Sequence, residues 1–441
     1  VTAGRLRAAL AVVAAVAVLT PAAALAFDGH ERHRATVPAA GPVRPPQAAP
    51  LAGAPRDAPQ DGSQRERSPA APQGVSDDDK VLASIGAALG QQSTALLAGD
   101  AAGFAAPATD PAVRADLGRR FDSLRAMRVA TFGETVVGAP VQGADGSWTA
   151  RLRVTYCFVV ATCDPLSIPE PSRWTVSGTK AVLVALGTSQ PADLGPRPWE
   201  VSALRTAAGK RVIVATTDRY ASKLPAMLAA AEKAAASVDR YARWDPAPPR
   251  YIVYLAGPQE WGGWYGMVQR DWVAAFAMPL TARSTEVVLN VQHTDPAGAL
   301  DVLRHELTHV VTLAGSGKHA EHSWWLVEGI AEYVRITSGG HGFDGLVDLR
   351  RFVHSGHWAG DVALDDPPPG TGGPDVNGRY AVAYLGVKRL ADRFGEDKML
   401  AFFAAVVRDG TPLADAAPAT LGVSWPALSA DLDRNLHSVA N

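Results

Sequence analysis

The chain has 441 residues, 47% of them hydrophobic, with 42 basic and 44 acidic side chains and a formal net charge of −2. That length is enough for two hydrophobic cores. So even a charge balance gives no general attraction for nucleic acid or for an anionic membrane.

At the start, Arg5 and Arg7 precede an apolar run from Ala8 to Leu19, and Ala24, Leu25 and Ala26 offer a small-residue cleavage site. This is the pattern of a secretory signal peptide over 1–26, and it predicts a secreted, extracellular protein. The alternative is an uncleaved membrane anchor, because 8–26 is nearly long enough to cross a bilayer. Membrane contact is expected only in that case. Heavy use of Ala, Gly, Pro and Arg suits a high-GC bacterial gene. Residues 27–78 are rich in Pro and Ala and nearly free of branched and aromatic side chains. Such a segment cannot bury enough surface to offset its ordering entropy, which predicts a disordered linker.

From 79 to 217 the periodicity predicts helices at 81–98 and 114–127. Alternating, strand-like runs follow at 148–160, 180–187, 199–206 and 210–216. Helices packed on one curved antiparallel sheet fit that order. The helix end Ala95-Leu96-Leu97-Ala98-Gly99-Asp100 and the late strands resemble the nuclear-transport-factor-2-like fold. No catalytic cluster stands out, so this is an accessory domain for substrate or partner contact. Cys157 and Cys163, six apart in an exported chain, predict a local disulfide, with free buried thiols as the alternative.

From 218 to 441 the pattern is a helix over 218–241, a strand over 251–255 and a Trp- and Gly-rich stretch over 260–272. Two strands near Ala274 and Val287 follow. Trp261, Trp264, Tyr265 and Trp272 line a cleft or pack beneath the glycine-rich loop. The strand over 285–290 offers an edge for an extended peptide or is an ordinary half-buried strand. Asp295-Pro296 starts a helix, as N-cap and first residue. Leu300, Leu303, Leu307, Val310 and Val311 form its buried stripe, and Gly315-Ser316-Gly317 ends it. Ser323 is placed to cap the next helix. His319, His322, His354 and His357 read as surface histidines or as histidines satisfied by a partner. Residues 365–378, dense in Pro, Gly and Asp, form a rim or lid before a helix that opens at Tyr380.

The chemistry concentrates in His305-Glu306-Leu307-Thr308-His309, with Glu328 beyond it in Trp324-Trp325-Leu326-Val327-Glu328-Gly329. Two histidines four apart share one helix face, with Cβ atoms about 5–6 Å apart. Both imidazoles can then reach one zinc ion at about 2.0–2.1 Å. Glu306 faces a water on that ion and can act as its general base. Glu332, one turn past Glu328, can accept the second ring N–H of His305 or stand solvated.

The stretch from His305 to Glu328 resembles the gluzincin zinc metallopeptidases, the clan of thermolysin and aminopeptidase N. The third ligand sits in the Trp-Leu-x-Glu-Gly-x-Ala setting of the latter. The resemblance implies an α+β, zincin-like domain over 218–441 with a small sheet, an active-site helix and a helical lobe. It also implies one Zn2+ per chain on His305, His309 and Glu328, Glu306 as catalytic base, and a peptide or protein substrate. An oxyanion-stabilising tyrosine is expected as well, at Tyr380 by distance or at Tyr384 one turn on. The aminopeptidases carry a Gly-x-Met-Glu-Asn strand whose acid holds the substrate's amino group, and here that region reads Phe276-Ala277-Met278-Pro279-Leu280. Without the carboxylate an endopeptidase is favoured. The other readings are a binding protein on a weak or inactive peptidase fold and a zinc hydrolase of a non-peptide amide or ester.

Overall fold

The structure, a computed structural model, describes residues 76–266, 273–317, 319–339, 342–368 and 370–441. The expected signal peptide, the linker up to residue 75 and Trp272 lie outside the described residues. The chain is α+β, as its pattern predicts.

Ser76 opens the first helix with a capping box: its hydroxyl accepts from Asp79 N, and Asp79 accepts from Ser76 N. Helices α1 (Asp77–Ala98), α2 (Ala101–Ala105) and α3 (Pro111–Ala126) pack on a four-stranded sheet. Its strands β1 (Val129–Gln142), β2 (Trp148–Phe158), β3 (Leu166–Ser177) and β4 (Lys180–Leu186) are antiparallel in chain order. Leu152, Val154 and Tyr156 on β2, and Ile168 and Trp174 on β3, are buried at every second position of a one-sided sheet. The sequence pattern gives no warning of β1 or β3. Pro169 and Pro171 read against a strand, and β1 is interrupted by register shifts around Gly138 and Pro140. Cys157, near the end of β2, is joined to Cys163 in the loop that follows.

The second sheet corrects the expected boundary at 217. After α4 (Pro198–Val201) come β5 (Leu204–Ala208), β6 (Val212–Thr217), α5 (Leu224–Val238), β7 (Tyr251–Ala256), α6 (Pro258–Gly263), β8 (Ala275–Pro279) and β9 (Thr285–Asn290). The strand order is β5-β6-β7-β9-β8, with β6, β7 and β9 parallel and each edge antiparallel. β5 and β6, expected in the accessory domain, therefore belong to the C-terminal sheet. The run expected as a strand over 199–206 begins as helical α4. β6 is buried along nearly its whole length, as a strand covered on both faces must be. Val212 and Val214 enter the core under the C-terminal helices, while Ile213 and Ala215 enter the core of the N-terminal module. The module is thus docked on the back of the sheet that carries the C-terminal helices on its front. β9 is an internal strand, so the edge expected of 285–290 falls, among the described residues, to β8 instead. A hairpin pattern alone cannot say which of its strands inserts beside a third.

The helical lobe follows as α7 (Pro296–Leu313), α8 (Trp324–Thr337), α9 (Leu346–His354), α10 (Gly373–Phe394), α11 (Glu396–Phe403), α12 (Leu413–Leu421) and α13 (Trp425–Ala440). Helix α10 opens at Gly373 rather than at Tyr380, with Pro374 in its first turn. The expected rim is shortened accordingly. A Cβ at Gly329 would lie 2.4 Å from the Ala383 carbonyl oxygen and 2.6 Å from Val387 Cγ2. Glycine at that position lets the α8 backbone lie against the α10 backbone at Ala383, which sets Tyr380 beside Glu328's helix.

Candidate metal centre

Helix α7 starts as its sequence predicts: Asp295 Oδ1 accepts from Gly298 N at 2.7 Å, with Pro296 next. Ser323 does not cap α8 through its hydroxyl. Its carbonyl accepts from Leu326 N and Val327 N instead, at 2.9 and 3.2 Å. What holds α8 is burial: Trp325, Leu326 and Ile330 are fully enclosed.

These two helices bring the motif residues together. His305, His309, Glu306 and Glu328 are all at most 2% exposed. The two Nε2 atoms are 3.1 Å apart, and Glu328 Oε2 lies 3.2 Å from His305 Nε2 and 3.6 Å from His309 Nε2. A tetrahedron with metal–ligand bonds of about 2.0–2.1 Å has edges of about 3.3–3.4 Å. The triangle matches such a face. It is the group of its kind among the described residues. Neither oxygen of Glu328 nor of Glu306 finds a hydrogen-bond donor, and His309 Nδ1 has no partner. Buried carboxylates without donors are costly, and a divalent cation in the triangle answers both lone pairs and charge.

Around it stand the residues that orient it. His305 Nδ1 is 2.8 Å from Glu332 Oε1, so a proton on Nδ1 leaves the Nε2 lone pair facing the triangle. Burial works against ionising Glu332, but the Arg335 charge and the His305 hydrogen bond prevail and bring its pKa down to about 2. Burial pushes the Glu306 carboxyl up to about 8, with His305 opposing and the Glu328 charge adding to the rise. A divalent cation acts the other way and favours the carboxylate. Glu306 also lies close enough to the backbone of Ala277, on edge strand β8, for that contact to lower its pKa, though no hydrogen bond of normal geometry forms.

Of the two tyrosines, the fold brings Tyr380 to the cluster. Its ring centre is 6.1 Å from that of His305 and 5.4 Å, edge-on, from Trp324. Burial, then Glu328 and Glu306, raise its hydroxyl well above the usual phenol range. Tyr384 stacks on Phe343 at 5.0 Å instead. Trp261, Trp264 and Tyr265 are buried on the back of the sheet against Phe276 and Tyr254 and line no part of this centre. His322 and His357 are exposed and paired with Asp365 and Asp375 at 2.9 and 2.8 Å. His354 is exposed and His319 partly buried.

Two residues near the centre escaped the sequence reading. Arg335 was signalled only by its three-residue spacing from Glu332. Asp366, on the rim, has its carboxyl raised to about 6 by burial and then by Glu328 and Asp365, and nothing local marks it.

Residues 278–344 match a family described as BSP, peptidase of plants and bacteria. That segment spans the helix with His305 and His309 and the one with Glu328. The peptidase resemblance read from the motif agrees with that description. No curated protein matches the chain. Among solved structures, an M1 zinc metallopeptidase from Deinococcus radiodurans is 14% identical, covers 71% of this chain and 62% of its own, and gives a TM-score of 0.31. A mutant of a two-domain M1 zinc metallopeptidase bound to L-arginine is 13% identical with the same coverages and the same TM-score of 0.31. The chain thus spans less than two thirds of the length of these structures.

Proposed function

We propose that this chain is an exported zinc-dependent peptidase, with His305, His309 and Glu328 holding one ion per chain and Glu306 as general base. The observation that carries the proposal is the triangle of lone-pair atoms, 3.1 to 3.6 Å on its edges, beside a buried Glu306 that lacks any donor. A zinc ion held there supplies a Lewis acid and brings the pKa of a water toward about 7.

The chain's own residues divide the remaining work. Glu306, next to His305 on α7, takes the proton of the attacking water and passes it to the leaving amine. Tyr380 donates its O–H to the carbonyl oxygen as that oxygen becomes anionic. The edge of β8 presents backbone groups to an extended peptide. An endopeptidase is favoured because β8 carries no acid toward the centre. Glu286, opposite Met278 in the hairpin, is buried on the back face with Tyr265. The N-terminal segment, read as a secretory signal, supports export. The test is zinc content and cleavage of a peptide library by the purified protein, with and without chelator. Zinc-free protein that cuts peptides would sink the proposal, and cleavage of esters alone would move the substrate class.

A further inference from the structure

We infer that Arg335 is a positioning residue for the metal centre: it clamps Glu332, which in turn orients His305, and so sets how tightly zinc is held. This rests on the zinc reading above and adds to it a residue outside the ligand set.

The chain of contacts is continuous. Arg335 Nη2 donates to Glu332 Oε2 at 2.7 Å, and Arg335 Nε lies 3.1 Å from each carboxylate oxygen. Glu332 Oε1 faces His305 Nδ1 at 2.8 Å. A guanidinium engaging a carboxylate with two N–H groups fixes the plane of that carboxylate, where a single contact leaves it free to rotate. With the Glu332 plane fixed, the His305 ring is fixed too, and its Nε2 stays aimed between His309 and Glu328. The clamp is enclosed: the side chains of Arg335 and Glu332 are 15% and 12% exposed, so water competes little for either. Both residues sit on α8, the helix that supplies Glu328. Orientation of the first ligand is therefore tied to the element that delivers the third.

The test is zinc affinity of the full chain, measured by competition with a fluorescent chelator, for wild type, Arg335→Met, Arg335→Lys, Glu332→Gln and the Glu332→Gln/Arg335→Met double variant. Loss of an outer-shell partner typically weakens a metal site about 10- to 100-fold, and that loss is expected for Arg335→Met. Arg335→Lys should fall between, because an ammonium keeps the charge without the planar fork. Adding Arg335→Met to Glu332→Gln should cost nothing further, since Arg335 acts through Glu332. A merely structural role would instead lower melting temperature in excess chelator and leave the affinity cycle additive. Wild-type affinity in Arg335→Met, or an equal loss in both backgrounds, overturns the inference. If Arg335→Met fails to fold, wild-type affinity in Arg335→Lys does the same. A wild-type chain that takes up no zinc sinks the metal assignment, and the clamp with it.

Discussion

The two faces of the five-stranded sheet both bury charge, and they do it differently. On the front, both carboxylate oxygens of Glu306 and of Glu328 are left open as acceptors, and His309 Nδ1 also has no partner. On the back, under the N-terminal module, Arg197 Nε and Nη1, Glu286 Oε1 and the hydroxyls of Tyr156 and Tyr254 also lack partners. There a guanidinium stands against a carboxylate, Tyr265 donates to Glu286 at 2.5 Å, and the Arg197 guanidinium lies 5.5 Å from the Tyr265 ring centre. Donors and acceptors are both open, so ordered water can bridge them. Unsatisfied buried atoms alone therefore do not mark a site. What singles out the front face is convergence of lone pairs with no cation among them to answer.

If that contrast is right, changes on the front should abolish chemistry and changes on the back should reach stability. The largest effect is expected from Glu306→Gln, which should keep zinc and fold yet lower turnover about 10²- to 10⁴-fold, the usual worth of a general base. Activity within a few-fold of wild type would place the base elsewhere. Tyr380→Phe should follow, with turnover down about 10²- to 10³-fold and KM little changed, because its donor matters once the carbonyl oxygen carries charge. Tyr384→Phe, stacked on Phe343, should leave turnover near normal. The reverse ranking of the two tyrosines would move the oxyanion role one helical turn.

On the back, Glu286→Leu takes from buried Arg197 one of the carboxylates whose charge acts on it, leaving Glu200, and leaves the Tyr265 hydroxyl without its acceptor. A loss of about 3–5 kcal/mol in denaturant unfolding is expected, with zinc stoichiometry unchanged; zinc loss without destabilisation would erase the distinction between the faces. The smallest effect concerns pH. Burial, then the Glu170 charge, raise the Glu134 carboxyl from 4.5 to about 8. The folded chain thus keeps a proton that the unfolded chain gives up. That contribution to stability is complete below about 4.5 and is lost as pH climbs through about 8. Glu134→Gln should flatten the fall in unfolding midpoint between pH 5 and pH 9, with a residual slope from Glu170, itself raised to about 7. An unchanged slope would mean that Glu134 titrates normally.

The front face was legible because its signals are local. A His–His spacing of four and a Glu–Glu spacing of four each become neighbours on a helix by geometry alone, without reference to the rest of the chain. The Asp295–Pro296 start works for the same reason. Tyr380 needed more: its place beside His305 depends on α10 meeting α8 across Gly329, a contact between segments far apart in sequence. The back face was not legible at all. Arg197, Tyr156, Tyr254 and Glu286 come from four separate stretches, and only docking of the module on the sheet brings them under one roof.

By itself, then, the sequence marked out His305, Glu306, His309 and Glu328, the residues proposed here as ligands and base, together with the disulfide pair and the start of α7, because each rests on spacings short enough for backbone geometry to settle. Tertiary structure alone decided that β8 rather than β9 is the edge, that β5 and β6 leave the module for the second sheet, and that Tyr380 rather than Tyr384 faces the centre. Those outcomes depend on which surfaces find each other in the folded chain. Apolar alternation is the same whichever partner covers it.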